Sequence, residues 1–197
     1  MKLLSAVDLF AGAGGLSTGL EAEGFQINAA VEIDPVSAKS YTLNHQDTNV
    51  IIEDIRNISG AKLLKQLGLV RGELDLLTGC PPCQAFSTLR TRRRVKPNTD
   101  RNQELIIEVL RLVRSMRPRA VIVENVPGLA KDDRFSHFCL GLKKAGYRYT
   151  YAILNASDYD VPQRRKRMIL VALRGKEISN NWSKYKGRYR TDRKSVV

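Results

Sequence analysis

Along the chain, short runs of consecutive apolar residues alternate with stretches in which apolar positions recur every three or four residues. The first pattern reads as strands buried on both faces, the second as amphipathic helices. Residues 5–10 therefore predict a strand and 16–23 a helix. Residues 26–32 predict a second strand, and Pro35 stands where a helix begins, its fixed φ suiting the first helical position. A short third strand over 49–52 and a helix over 60–67 follow, then a fourth strand over 74–78. Residues 101–116 place Leu105, Val109 and Leu112 on one helical face, and Pro118 stops that helix. A fifth strand over 120–123 and a helix over 134–145 lead to Gly146. Two final strands, 147–154 and 167–173, are joined by a turn containing Pro162. Such alternation predicts an α/β domain, a mostly parallel, doubly wound sheet with helices on both faces.

One segment breaks the rhythm. Residues 89–100, LRTRRRVKPNTD, carry Arg90, Arg92, Arg93, Arg94 and a lysine with almost no apolar content. Connections this long in compact domains are functional or disordered. It reads either as a solvated crossover or as a basic lid that clamps phosphates.

Composition narrows the class. A chain of 197 residues is long enough for one domain with a real core, since chains of this size bury roughly 70% of their unfolded surface. No apolar stretch is long enough to cross a membrane, and residues 1–5 run straight into a strand instead of a signal peptide. Three cysteines, an odd number, argue against a disulfide framework and for a reducing, cytoplasmic compartment. The 33 Lys+Arg against 20 Asp+Glu, net +13, suit a polyanionic partner.

The chemistry concentrates after the fourth strand, in residues 79–87, GCPPCQAFS. A thiol at the carboxyl end of a parallel strand lies where open α/β sheets bind ligands. Pro81 and Pro82 restrict the backbone approaching Cys83, which suits a nucleophile presented in one direction. Three other readings stand beside this one: a thioredoxin-like redox pair, half of a zinc site, and an inert buried thiol. Zinc needs four ligands, and Cys139, His45 and His137 show no ligand spacing, so no metal is expected.

The first strand runs into DLFAGAGGL, a glycine-rich turn that lets a cofactor approach the backbone. A dinucleotide turn would demand glycine at position 17, where this chain has Ser17. Glu32 ends the second strand, 20 residues after Gly12, where a carboxylate can accept ribose hydroxyls, and Ile33 can cover an adenine face. Glu53-Asp54-Ile55 puts another carboxylate on the same edge, suited to an adenine amino group. The fifth strand ends in VIVENVPG, with Glu124 at the rim of the same crevice, where desolvation favours a proton donor near neutrality. Downstream, alternation in DVPQRRKR aims Arg165 and Arg167 to one face, away from Arg164 and Lys166.

The ordered set DLFAGAGGLSTGLE, VEID, EDI, GCPPCQAFS, ENVPG and NASDYDVPQRRKR resembles the motif series of DNA cytosine-5 methyltransferases, over about residues 4–174. The resemblance implies a Rossmann-like sheet binding S-adenosylmethionine and acting on double-stranded DNA, in restriction–modification of a bacterial or phage kind. It makes Cys83 the nucleophile that attacks carbon 6 of a flipped cytosine, and Glu124 the group engaging ring nitrogen N3. Arg165 then supports the base, while Gln163, Arg167 and the arginines of residues 90–94 face DNA. Phe10, Gly12, Gly14, Glu32, Ile33, Asp54, Ile55 and Pro81 become the cofactor contacts. The chain departs from the family in one helix start, DRNQEL, one residue longer than usual, so Leu105 is not carried over as a contact.

The family continues beyond VPQRRKR into a smaller recognition domain. Residues 1–175 are thus expected to form the catalytic and cofactor-binding domain, with 176–197 a basic tail. The last six residues, 192–197, match one reading frame of a sequencing adapter before a stop codon, which leads to the expectation of a gene fragment ending in non-native sequence. The alternative to a self-sufficient enzyme is a fragment that binds cofactor without turnover, or half of a split enzyme whose second polypeptide supplies recognition.

Overall fold

A computed structural model describes residues 3–82 and 104–182. Seven strands form one sheet: β1 (Leu4–Leu9), β2 (Phe25–Glu32), β3 (Asn49–Ile52), β4 (Leu76–Gly79), β5 (Ala120–Asn125), β6 (Tyr147–Asn155) and β7 (Lys166–Arg174). The described helices are α1 (Gly15–Ala22), α2 (Pro35–Asn44), α3 (Gly60–Gln66), α4 (Leu105–Met116) and α5 (Asp133–Lys144). Strand order is β3-β2-β1-β4-β5-β7-β6. All neighbours are parallel except β7, which runs antiparallel to both β5 and β6. The order reverses between β1 and β4, so the crevice at their carboxyl ends is the topological switch point where such sheets bind ligands.

The predicted elements appear within a few residues, and local chemistry explains their ends. Asp34 accepts the Ser37 N–H at 3.0 Å and caps α2, with Pro35 as its first residue. α4 ends at Arg117, in the left-handed region at φ 52°, just before Pro118. The predicted face of that helix, Leu105, Val109 and Leu112, is buried. β5 runs to Asn125, two residues past its expected end, because β7 pairs with it as far as Asn125 opposite Met168. That extension puts Glu124 and Asn125 inside the ladder.

The sheet is covered unequally. Val7, Leu9, Val31, Leu77, Val121, Val123 and Leu170 pack against α3, α4 and α5 in one large core. The opposite face holds a smaller cluster, Ala6, Ile27 and Leu76 under Leu20 of α1. Residues 176–182 run back over that same face, where Trp182 Nε1 donates to Thr150 Oγ1 at 3.3 Å and Arg148 pairs with Glu177 at 2.9 Å. The adapter-like residues lie outside the described ones.

Candidate active site

The turn after β1 is built from left-handed backbone. Phe10 (φ 58°), Gly12 (φ 56°) and Gly14 (φ 95°) all have positive φ. At Gly14 glycine is required twice over, because a Cβ there would lie 2.2 Å from His45 Nε2. The Gly12 N–H donates to Glu32 Oε2 at 2.8 Å, and the Asp34 N–H to Glu32 Oε1 at 2.8 Å. Two backbone donors thus hold the Glu32 carboxylate at the end of β2, beside the turn. Next to it opens a cleft of about 220 Å³ lined by Phe10, Val31, Ile33, Asp54, Pro82 and Leu105, among others. Ile33 is 61% exposed, an apolar side chain held in the open at the mouth of this cleft. Asp54 accepts from the Arg56 N–H and its guanidinium, at 2.9 and 2.8 Å, and the backbone donor is the main reason its carboxyl lies below the usual range. Leu105, not carried over as a cofactor contact because of its motif spacing, also lines this cleft.

Beneath the turn lies a buried polar network that sequence reasoning missed. Asp8 is 1% exposed and accepts from Ser17 Oγ at 2.7 Å; Tyr41 Oη donates to the same Ser17 oxygen at 2.7 Å. Burial raises the Asp8 carboxyl to about 6, against the Ser17 hydrogen bond. The serine that stands where a dinucleotide turn has glycine therefore links β1, α1 and α2. Buried His45 closes the set, its Nδ1 2.9 Å from Glu21 Oε2. An acid inside an otherwise apolar strand, just before the glycines, was the available signal.

The edge that carries Pro81 and Glu124 is joined across β1, β4, β5 and β7. Gly79 ends β4 close to Leu9, and the Cys80 N–H reaches the Leu9 carbonyl at 3.3 Å. Buried Asn125 donates from Nδ2 to the Pro81 carbonyl at 2.7 Å, while its Oδ1 accepts the Val126 N–H at 2.8 Å. The Pro-Pro approach to Cys83 is thereby tied to the strand that carries Glu124. Glu124 Oε1 lies 2.7 Å from Arg167 Nε, both side chains about a quarter exposed. Register explains the pair: Glu124 faces Ile169 across the ladder, and Arg167 is the diagonal neighbour on the same face. Arg165, the arginine expected to support this site, is exposed in the turn before β7, as is Gln163. Arg167, expected to face DNA, is the one that reaches the acid.

Half-buried Cys80 follows β4 directly, and burial together with the Glu124 and Asp8 charges pushes its thiol far above the ordinary range. A thiol that keeps its proton is a poor nucleophile. Cys83 and Arg90, Arg92, Arg93 and Arg94 lie outside the described residues. So does most of the positive excess: the described residues hold 20 of the 33 basic side chains and 18 of the 20 acids. Among the described residues no cluster of His, Cys, Asp or Glu is gathered that could hold a metal ion, and no helix is long and apolar enough to cross a membrane.

Comparison with known proteins gives consistent matches. The profile of C-5 cytosine-specific DNA methylases matches residues 4–196. The Type II methyltransferase M.AquIA of Picosynechococcus is 37% identical over 179 residues, covering 85% of this chain and 71% of that protein. The Type II methyltransferase M.XorII of Xanthomonas oryzae is 35% identical over 173 residues, covering 85% of this chain but 40% of its own length. A crystal structure of a DNA modification methyltransferase encoded within an E. coli prophage aligns with TM-score 0.77 at 26% identity, over 89% of this chain and 49% of that one. The Dnmt2 methyltransferase of S. pombe, at 21% identity and TM-score 0.72 over 90% of this chain and 52% of its own, shares the fold.

Proposed function

The chain belongs to the C-5 cytosine-specific DNA methylase family, and from that premise we propose that it transfers a methyl group from S-adenosylmethionine to carbon 5 of a cytosine in double-stranded DNA. Its fold is the Rossmann-like, mostly parallel methyltransferase sheet expected from the motifs. The observation that carries the reading is the Asn125 bridge. It ties the Pro81-Pro82 turn to the strand of Glu124, at the sheet edge where the cleft and Glu32 also lie. The cleft suits S-adenosylmethionine. It has apolar walls at Phe10, Ile33 and Leu105 and carboxylates at Glu53 and Asp54, with Glu32 between the lining residues Val31 and Ile33, and a Cβ at nearby Gly12 would meet nothing within 4 Å. Gly14, Ile55 and Pro81 complete the set that would hold it. When bound, it supplies the electrophilic methyl group.

Cys83, carried by the Pro-Pro turn, adds its sulfur to carbon 6 of the cytosine, while Glu124 holds a proton at N3. The ring then becomes an enamine, nucleophilic at carbon 5. After methyl transfer, loss of the carbon 5 proton and expulsion of the thiol restore aromaticity. Arg167 holds the Glu124 carboxylate, and Arg165 and Gln163 meet the nucleic acid with the basic residues 89–100. A base in a duplex is out of reach, so the target leaves the stack. The matches to Type II methyltransferases favour a restriction–modification role in a bacterial or phage-infected cytoplasm.

Trapping on DNA containing 5-fluorocytosine tests the mechanism, because fluorine is not eliminated as a proton is and the adduct persists. An adduct lost in Cys83→Ser supports it; a wild-type chain that binds cofactor and DNA without forming one refutes it for this chain acting alone. Coverage of 40% of the M.XorII length favours a second reading, in which another polypeptide supplies target recognition and turnover needs both. Adduct formation only after adding a recognition polypeptide would select that reading.

A further inference from the structure

The lining of the cleft is drawn from separate parts of the chain. Glu53, Asp54, Ile55 and Arg56 follow β3, whereas Leu105 opens α4. Arg111, roughly 9 Å farther along that helix by its rise, joins the two segments. Its Nη2 donates to the Ile55 carbonyl at 2.8 Å and its Nη1 to the Ile58 carbonyl at 2.9 Å. Its Nε donates to Glu108 Oε2 at 2.6 Å, one turn back on α4. We propose that Arg111 is a positioning residue for the cofactor. By clamping the Ile55 and Ile58 carbonyls to α4, it fixes Asp54 and Ile55 relative to Leu105 and so sets how tightly the cleft binds S-adenosylmethionine. The inference rests on the cleft being the S-adenosylmethionine site.

The turn that is clamped has little strength of its own. Ile55–Asn57 is a single 3-10 turn, closed by the Asn57 N–H on the Asp54 carbonyl at 2.9 Å and the Ile58 N–H on the Ile55 carbonyl at 3.2 Å. The Ile55 and Ile58 side chains are buried in the large core, but apolar packing is non-directional and leaves the orientation of the turn open. A guanidinium supplies that direction, because it is planar, always charged, and holds its N–H groups in a fixed fork. Glu108 orients the fork from the same helix, so α4 carries both the clamp and the carboxylate that aims it. Arg111 itself lies outside the lining of the cleft and acts through Asp54 and Ile55.

Two readouts on the full chain test the proposal. Arg111→Met keeps the apolar stem and removes every donor. Tyr147→Phe is the control, losing the Tyr147 bond to the Pro118 carbonyl at the opposite edge of the sheet. Without cofactor, amide exchange at Asn57 and Ile58, read by mass spectrometry, should quicken by about 10-fold in Arg111→Met and not in Tyr147→Phe. In calorimetric titration with S-adenosylhomocysteine, Arg111→Met should bind about 10-fold more weakly, and Tyr147→Phe within about 2-fold of wild type. Arg111→Lys keeps the charge without the fork and should lose about 3-fold, so it carries the same test should Arg111→Met fail to fold. Unchanged exchange at residues 57 and 58, or wild-type affinity without the fork, would overturn the proposal. So would an equal loss in Tyr147→Phe, since general loosening would then be the cause. A wild type that binds no S-adenosylhomocysteine refutes the reading of the cleft, and this inference falls with it; a wild type that binds, with the Arg111 variants unchanged, sinks this inference alone.

Discussion

Replacing Asn125 by alanine probes the joint between the nucleophile turn and the acid strand most directly. The side chain is 5% exposed and makes two bonds, Nδ2 to the Pro81 carbonyl at 2.7 Å and Oδ1 from the Val126 N–H at 2.8 Å. Each such bond contributes about 1 kcal/mol net, and stranding a buried carbonyl costs about 1–3 kcal/mol. Pro81 is buried and has little recourse to water, whereas Val126 is half-buried and can recover part of its loss. The expected destabilisation is therefore about 2–4 kcal/mol, or a fall in Tm of roughly 5–15 °C for a domain of this size. Urea unfolding followed by circular dichroism reads the first quantity and calorimetry the second. Adduct formation on 5-fluorocytosine DNA, measured well below the lowered Tm, should fall by more than the cofactor affinity does, because the turn leading to Cys83 loosens while Pro82 is the one lining residue of the cleft that lies on it. A loss below about 0.5 kcal/mol, with unchanged adduct rate, would refute the idea that this bridge positions the turn.

Gly14→Ala should destabilise severely, by about 3 kcal/mol or more, since its Cβ would collide with His45, while Gly12→Ala should cost only about 1 kcal/mol for its positive φ; parallel thermal melts compare them. Asp8 titrates near 6 when folded against about 4 when unfolded, so the folded state holds that proton more firmly and Asp8 adds stability as pH falls from about 6 to 4. Wild type minus Asp8→Asn in unfolding free energy should therefore rise by about 2 kcal/mol between pH 7 and pH 4, and a flat difference would contradict the burial argument. Arg167→Ala should slow adduct formation by about 100-fold and Arg165→Ala by less than about 10-fold, as pre-steady-state trapping would show.

Much of the fold was legible because its elements carry local signals. Residues 49–52 were read as a strand from pattern alone, and the Pro35 start of α2 from stereochemistry. The placement of β7 between β5 and β6 was not read, since strand–helix alternation does not say where a returning strand pairs. Its signal was present in the uninterrupted run MILVAL, which marks a strand flanked on both sides. The acids Glu32 and Asp54 were legible because each follows an apolar strand run, at the ends of β2 and β3. The pairing of Glu124 with Arg167 was not, because Arg165 and Arg167 share one alternating face and a two-residue difference in register lies beyond what alternation specifies. Asn125 and Asp8 escaped for a different reason: a polar side chain in an apolar strand shows its partner only once the neighbouring strands are in place.

The reversed direction of β7 has a consequence for how this edge tolerates change. A parallel strand in that slot would deliver its last residues to the catalytic rim. β7 delivers its first, so Arg167 arrives straight from the turn after Asn155. The ladder, not the length of residues 156–165, fixes where Arg167 stands: one residue inserted or deleted within β7 between Arg167 and Met168 would turn the guanidinium to the opposite face of the sheet, away from Glu124. The pairing of β5 with β7 thus decides which arginine meets Glu124, and a change of length inside that strand would be felt there first.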